Sequence, residues 1–164
     1  MKINLKILCF SLAILFLVSS PGWALNTPGV VEDHGVITAL ITSDAGLTLG
    51  AEYGLTSQFA LMGEVNGPTT RIGGKYEVAS DLALLMGVTD DSPFLGINGS
   101  YSLDPDLTGI YEFNLSSRHN DLSVLYKFGG SLAIDQNLAL RAGLVGFLTE
   151  DNFPDLQLGI GYKF

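Results

Sequence analysis

Residues 155–164 alternate without a break: Leu156, Leu158, Ile160, Tyr162 and Phe164 are interleaved with Asp155, Gln157, Gly159, Gly161 and Lys163. A strand turns successive side chains to opposite faces, so this segment predicts a β-strand with one apolar face and one polar or glycine face. The same period of two recurs upstream. Leu122, Val124, Tyr126 and Phe128 oppose Ser123, Leu125, Lys127 and Gly129, while Leu82, Leu84, Met86 and Val88 oppose Ala83, Leu85, Gly87 and Thr89. Ile72, Gly74, Tyr76 and Val78 oppose Arg71, Gly73, Lys75 and Glu77, and Leu47, Leu49, Ala51 and Tyr53 oppose Thr48, Gly50 and Glu52. Beyond the N-terminus no stretch approaches the ~20 apolar residues of a membrane helix.

Turn-forming clusters punctuate these runs: Ser43-Asp44-Ala45-Gly46, Asn66-Gly67-Pro68, Asp90-Asp91-Ser92-Pro93, Asp104-Pro105-Asp106 and Asp135-Gln136-Asn137. The reading is ten strands, near 35–42, 46–54, 58–65, 70–78, 82–89, 94–103, 107–116, 122–133, 137–148 and 155–164. Eight is the alternative, because the first strand has no decided face and the last hairpin is long. A membrane strand takes ~9–11 residues and a tight connection ~2–5, so residues 35–164 suit a small barrel and not a large porin.

Composition says which face is outside. Hydrophobic residues make up 47 % of the chain and charged ones only 15 %, against roughly a quarter charged in soluble proteins. The tyrosines Tyr53, Tyr76, Tyr101, Tyr111, Tyr126 and Tyr162 all fall on apolar faces, most near one set of strand ends, as an interfacial aromatic girdle requires. The opposite faces carry Glu52, Glu64, Arg71, Lys75, Glu77, Glu112, Lys127 and Arg141 among many glycines. Inside a narrow tube such charges must pair, because an unpaired buried charge is costly. The expected arrangement sets Glu52, Glu64, Glu77 and Glu112 against Lys75, Lys127 and Arg141, plugging the lumen. The fold class expected is therefore all-β, a transmembrane antiparallel up-and-down β-barrel.

The N-terminus reads as an address. Lys2 and Lys6 precede an apolar run from Ile7 to Val18, then Ser19, Ser20, Pro21 and Gly22, with small residues at both ends of Gly22-Trp23-Ala24. That is the form of a signal peptide cleaved after Ala24. The expected organisation is a signal at 1–24, a periplasmic lead-in at 25–34 and an outer-membrane barrel at 35–164. The single cysteine, Cys9, lies within the signal, so the exported chain has no thiol chemistry. Acidic residues outnumber basic ones 17 to 8, which argues against nucleic acid as a partner.

With that signal, the terminal Tyr162-Lys163-Phe164 and the alternation back to Leu156 resemble the ends of bacterial outer-membrane barrel proteins. The likeness is to small barrels such as the transmembrane domain of outer membrane protein A. It implies a place in the cell outer membrane among its lipids, and insertion by the barrel assembly machinery. Leu156, Leu158, Ile160, Tyr162 and Phe164 would be the assembly signal. No cofactor is implied, and the oligomeric state stays open. The short outer turns depart from adhesion-type barrels.

Catalytic chemistry finds little support. The two histidines, His34 and His119, lie in the lead-in and in the turn Ser116-Ser117-Arg118-His119-Asn120-Asp121. One short turn does not converge nucleophile, base and orienting acid. Asp90-Asp91 with His119 offers a faint parallel to the outer rim of omptin-family proteases, without their paired spacings. No metal-ligand spacing occurs. The outer turns gather Asp44, Asp90, Asp91, Asp121, Glu150, Asp151 and Asp155 against one Arg118, an acidic rim that either keeps the turns soluble or holds divalent cations. The function expected is structural or interactive, with a narrow porin-like channel as the alternative and a surface hydrolase as the remote one.

Overall fold

A computed structural model describes residues 26–43, 46–118, 121–148 and 153–164. The segment 1–24, expected to be a signal, lies outside the described residues. So do His119 and the outer acids Asp44, Glu150 and Asp151.

The alternating segments form ten strands: β1 Gly35–Thr42, β2 Gly46–Gly54, β3 Phe59–Asn66, β4 Thr69–Ala79, β5 Leu82–Thr89, β6 Ser92–Asp104, β7 Leu107–Arg118, β8 Asp121–Ala133, β9 Leu138–Phe147 and β10 Asp155–Lys163. Each pairs antiparallel with its neighbour in sequence. The first and last strands then meet, from Val36 opposite Lys163 to Thr42 opposite Gln157, and close the barrel. Ten strands form, not eight. Beyond the last ladder pair, Gly35 and Phe164 exchange backbone hydrogen bonds of 2.9 and 3.0 Å, so the C-terminal residue seals the junction.

Closure matters physically because every ladder group is paired and no edge is left to face lipid. The turns between strands are mostly tight. Gly67 turns the chain between β3 and β4 with φ +54°, a left-handed conformation natural to glycine. The turns after β2, β4, β6 and β8 share one end of the barrel with Phe164, here termed the C-terminal mouth; the other end is the distal mouth.

The two faces of the wall are inverted relative to a soluble protein. Ile37, Leu49, Leu61, Ile72, Met86, Leu95, Leu158 and Ile160 are exposed on the outside. Glu52, Glu64, Arg71, Lys75, Glu112, Lys127 and Arg141 are buried inside. Along the strand bodies the outward residues are apolar, small or aromatic; Asp104, at the last position of β6 beyond a bulge, pairs with the outward Leu107 and is exposed at the rim. β1, whose face the sequence leaves undecided, sends Thr38, Leu40 and Thr42 inward and Ile37 and Ile41 outward.

Candidate functional site: the closed lumen

The inner wall is layered along the barrel axis. At the centre, Arg71 on β4 reaches across to β7, where its Nη1 donates to Glu112 Oε1 at 2.7 Å and its Nη2 to Asn114 Oδ1 at 2.9 Å. Asn114 Nδ2 returns a bond of 2.6 Å to the same Glu112 oxygen. The Arg71 guanidinium also lies 4.1 Å from the centroid of the Phe94 ring, a cation–π contact. Lys127 on β8 sits 3.2 Å from Glu112 on the adjacent strand and 3.8 Å from Glu64 on β3. In a ten-stranded ring β8 and β3 are diametrically opposite. The Lys127 ammonium therefore joins facing walls.

Local sequence makes these contacts possible. Glu112 and Lys127 are direct cross-strand partners, as are Glu64 and Arg71, so strand register alone brings opposite charges onto one level. Inward glycines leave room for long neighbours. A methyl at Gly87 would strike the Phe94 ring at 2.8 Å, and one at Gly161 would strike Arg141 Nε at 2.6 Å. Apolar chains fill what the charges leave: Met62, Leu85 and Phe94 form one buried cluster, and Leu125 and Val145 another with Phe147 toward the distal mouth. There a neutral layer follows, in which Gln157 Nε2 donates to Thr42 Oγ1, itself 3.3 Å from Thr48 Oγ1.

The C-terminal mouth is closed differently. Residues 26–30, expected as a periplasmic lead-in, fold into it. Lys75 is ion-paired with Glu52, and its ammonium also donates to the carbonyls of Thr27 and Gly29 at 2.8 and 3.4 Å. Asn98 Nδ2 donates to the Asn26 carbonyl at 2.9 Å. Arg141 Nη1 donates to Asn26 Oδ1 at 2.6 Å and to Thr38 Oγ1 at 2.9 Å. Glu77, expected to join the ion pairs, is half-buried at the rim and accepts the Val30 N–H at 2.6 Å. Among the described residues no cation lies within ion-pair distance of Glu77. The sequence cannot anticipate this, because the segment has no periodicity and its partners lie 12 to 115 residues away.

This combination decides the architecture: a closed ladder, an apolar exterior and a charged interior. The fold is that of an outer-membrane-type β-barrel. No family model matches the chain, and no curated protein matches it in sequence. Solved structures resemble it in shape. A de novo designed transmembrane β-barrel is 18 % identical, covers 86 % of this chain and 100 % of its own, and has a TM-score of 0.43. The KdgM porin is 13 % identical over 80 % of this chain and 99 % of its own, with a TM-score of 0.49. The N-terminal β-barrel domain of Pseudomonas aeruginosa OprF is 16 % identical over 81 % and 98 %, with a TM-score of 0.41. Likenesses at this level assign neither ligand nor activity.

The outer surface of this barrel carries the tyrosines. Tyr53, Tyr76, Tyr101 and Tyr162 are exposed near the C-terminal mouth. Tyr111 and Tyr126 stand further along their strands and are half-buried, in an aromatic group with Phe113 and Phe128. On β10, Leu158, Ile160 and Tyr162 are exposed and Leu156 is half-buried; Phe164, just past the strand, is exposed too. At the distal mouth Asp90 accepts the Thr70 N–H at 2.9 Å, and Asp155 accepts Ser43 Oγ at 3.2 Å. These two carboxylates thus have protein partners. His34, in the turn leading into β1, has its Nδ1 2.8 Å from the Glu32 carbonyl.

Proposed function

We propose that this protein is a structural or interaction protein of the bacterial outer membrane, its lumen occluded by its own side chains and without enzymatic chemistry. The observation that carries this reading is the Lys127 ammonium, in contact with Glu112 beside it and with Glu64 on the opposite wall. The surrounding burial supports it. Lys127, Arg71, Lys75 and Arg141 are 0, 1, 1 and 2 % exposed, so no water-sized gap surrounds these long side chains. A small barrel is just wide enough for side chains to fill, and here charged and apolar ones fill it together. Each carboxylate of the central layer is engaged by a cation, which leaves it poorly suited to act as a base or nucleophile. Lipid is the partner of the apolar exterior, and the terminal strand is the segment the barrel assembly machinery would engage.

The test is single-channel recording in a planar bilayer, using refolded protein whose heat-modifiable gel mobility shows a closed barrel. The expected result is silence. Steady conductance from the folded barrel would overturn the occluded reading in favour of a narrow channel.

A further inference from the structure

Residues 26–30 take no strand of their own, yet five wall side chains from four strands hold them: Thr38 on β1, Lys75 and Glu77 on β4, Asn98 on β6 and Arg141 on β9. Most of these contacts end on the main chain of the segment. Lys75 reaches two carbonyls, Asn98 a third, and Glu77 an N–H. The one side chain read by hydrogen bonds is that of Asn26, whose Oδ1 accepts from both Arg141 and Thr38. Pro28 and Val30 add apolar burial, and proline restricts the backbone before binding.

From this geometry we infer that the C-terminal mouth is a peptide-binding site, that its resident ligand is the chain's own Asn26–Val30, and that it accepts this segment supplied in trans. Its ligand class is a short, uncharged peptide led by asparagine and bent at its proline. Charge explains the preference. Lys75 and Arg141 stand at this level with Glu52 and Glu77, a balanced set, so a charged peptide would bring an uncompensated charge into a buried site.

The segment enters over one point on the rim. Asp33 N donates to the Gly54 carbonyl at 3.0 Å, and Gly54 N donates to the His34 carbonyl at 2.9 Å. The chain turns there through Asp33, at φ +57°. A methyl group at Gly54 would overlap the Val31 carbonyl oxygen, so only glycine admits the crossing. Gly54→Val therefore displaces the segment while leaving all five receptor side chains in place.

This inference rests on the occluded-barrel reading only for the folded, lipid-embedded wall, and its test uses a different readout. Ser131, buried on the lumen wall and opposite Arg141 across the strands, is replaced by cysteine in a chain expressed without residues 1–24, which carry Cys9. Reaction with a membrane-impermeant maleimide is then timed on refolded barrels with the proper gel mobility. The intact segment should protect Cys at this position. Gly54→Val, or deletion of residues 26–31 should either variant fold poorly, should raise the rate about tenfold or more.

An acetylated and amidated peptide of residues 26–30, added to the deleted barrel, should restore protection. Saturation is expected at or below about millimolar peptide, the effective concentration of a short tether. The same peptide with alanine for Asn26 should fail. Unchanged labelling after both displacements, or no protection by the peptide, overturns the inference. Bilayer conductance separates the two readings. The deleted barrel should stay silent because Lys127 and Glu64 still meet at its centre; current through it would count against occlusion and leave the labelling result to stand alone.

Discussion

The lumen is closed twice, and the two closures differ in kind. The central layer is made by the wall itself: Arg71, Glu112, Lys127 and Glu64 are fixed by strand register, and their ion pairs cross from wall to wall. The C-terminal mouth is closed by a segment that could leave without unpairing a strand, held by hydrogen bonds to its backbone. Central contacts should therefore govern the stability of the barrel, and mouth contacts the state of the segment. Lys75, Asn98 and Arg141 at the mouth are as deeply buried as Arg71 and Lys127 at the centre, so exposure of these wall side chains alone would not have separated the two.

The strongest way to break this comparison is Glu112→Leu. The substitution leaves Arg71 and Lys127 desolvated without the carboxylate they share, and removing one partner of a buried ion pair costs about 3–5 kcal/mol. Urea unfolding in lipid vesicles should register that loss. Neutralising the rest of the cluster as well, in Glu112→Leu with Arg71→Met, Lys127→Met and Glu64→Leu, should recover most of it, because no buried charge is then left without a partner. Near-wild-type stability of the single variant would mean that the centre is wet and that it closes no more firmly than the mouth.

A change of the same sort on the outside gives the next largest effect and locates the lipid. Met86 is exposed on β5 between Gly74 and Leu95. Met86→Arg should lower stability by about 2–4 kcal/mol if this position lies near the bilayer midplane. The same variant in a thinner bilayer should lose less, because the charge then lies closer to headgroups.

The mouth should respond otherwise. In Lys75→Met combined with Glu52→Leu an ion pair is exchanged for apolar chains of similar volume, which is commonly neutral to stability within about 1–2 kcal/mol. The double variant also removes the donor to the Thr27 and Gly29 carbonyls. Thiol labelling at Val30→Cys should therefore accelerate while the urea midpoint barely moves. Parallel losses in both measurements would show that the mouth and the wall form one cooperative unit.

How much of this was legible beforehand follows from the same distinction. Strand positions were readable because lipid outside and a charged lumen inside impose a period of two, and the observed ends fall within two residues of those expected. The inward charges were readable for the same reason, since Lys127 and Arg141 interrupt apolar neighbours at even spacing. Inward apolar residues were harder to place. Leu40, Leu85 and Leu125 are buried in the lumen although nothing in their type separates them from lipid-facing leucines. Only their parity with Thr38, Gly87 and Lys127 does so, and in β1 that signal is weak because the inward face mixes Val36 and Leu40 with two threonines while the outward face is also apolar. The seating of residues 26–30 left no local trace, because the groups that bind them lie on distant strands. Glu77 was drawn away from the ion pairs by a backbone N–H that no spacing rule could supply.

The exterior carries a smaller coupling. On β6 and β7, Gly99 faces Tyr111 and Gly109 faces Tyr101, each tyrosine ring lying over the glycine opposite. A ring that covers a glycine shields backbone and fills the missing side-chain volume, so each pair should act as a unit. A methyl at Gly109 would occupy the space of the Tyr101 ring, but Tyr101 is more than half exposed and can swing toward lipid. Gly109→Ala should therefore cost no more than about 1 kcal/mol, the scale of a cross-strand pair. Tyr101→Ala should cost a similar amount. The decisive quantity is their combination: once the ring is gone the methyl has nothing to displace, so the double variant should lose less than the sum of the singles. Strict additivity would mean that ring and glycine do not interact, and that Tyr101 owes its place to the membrane interface alone.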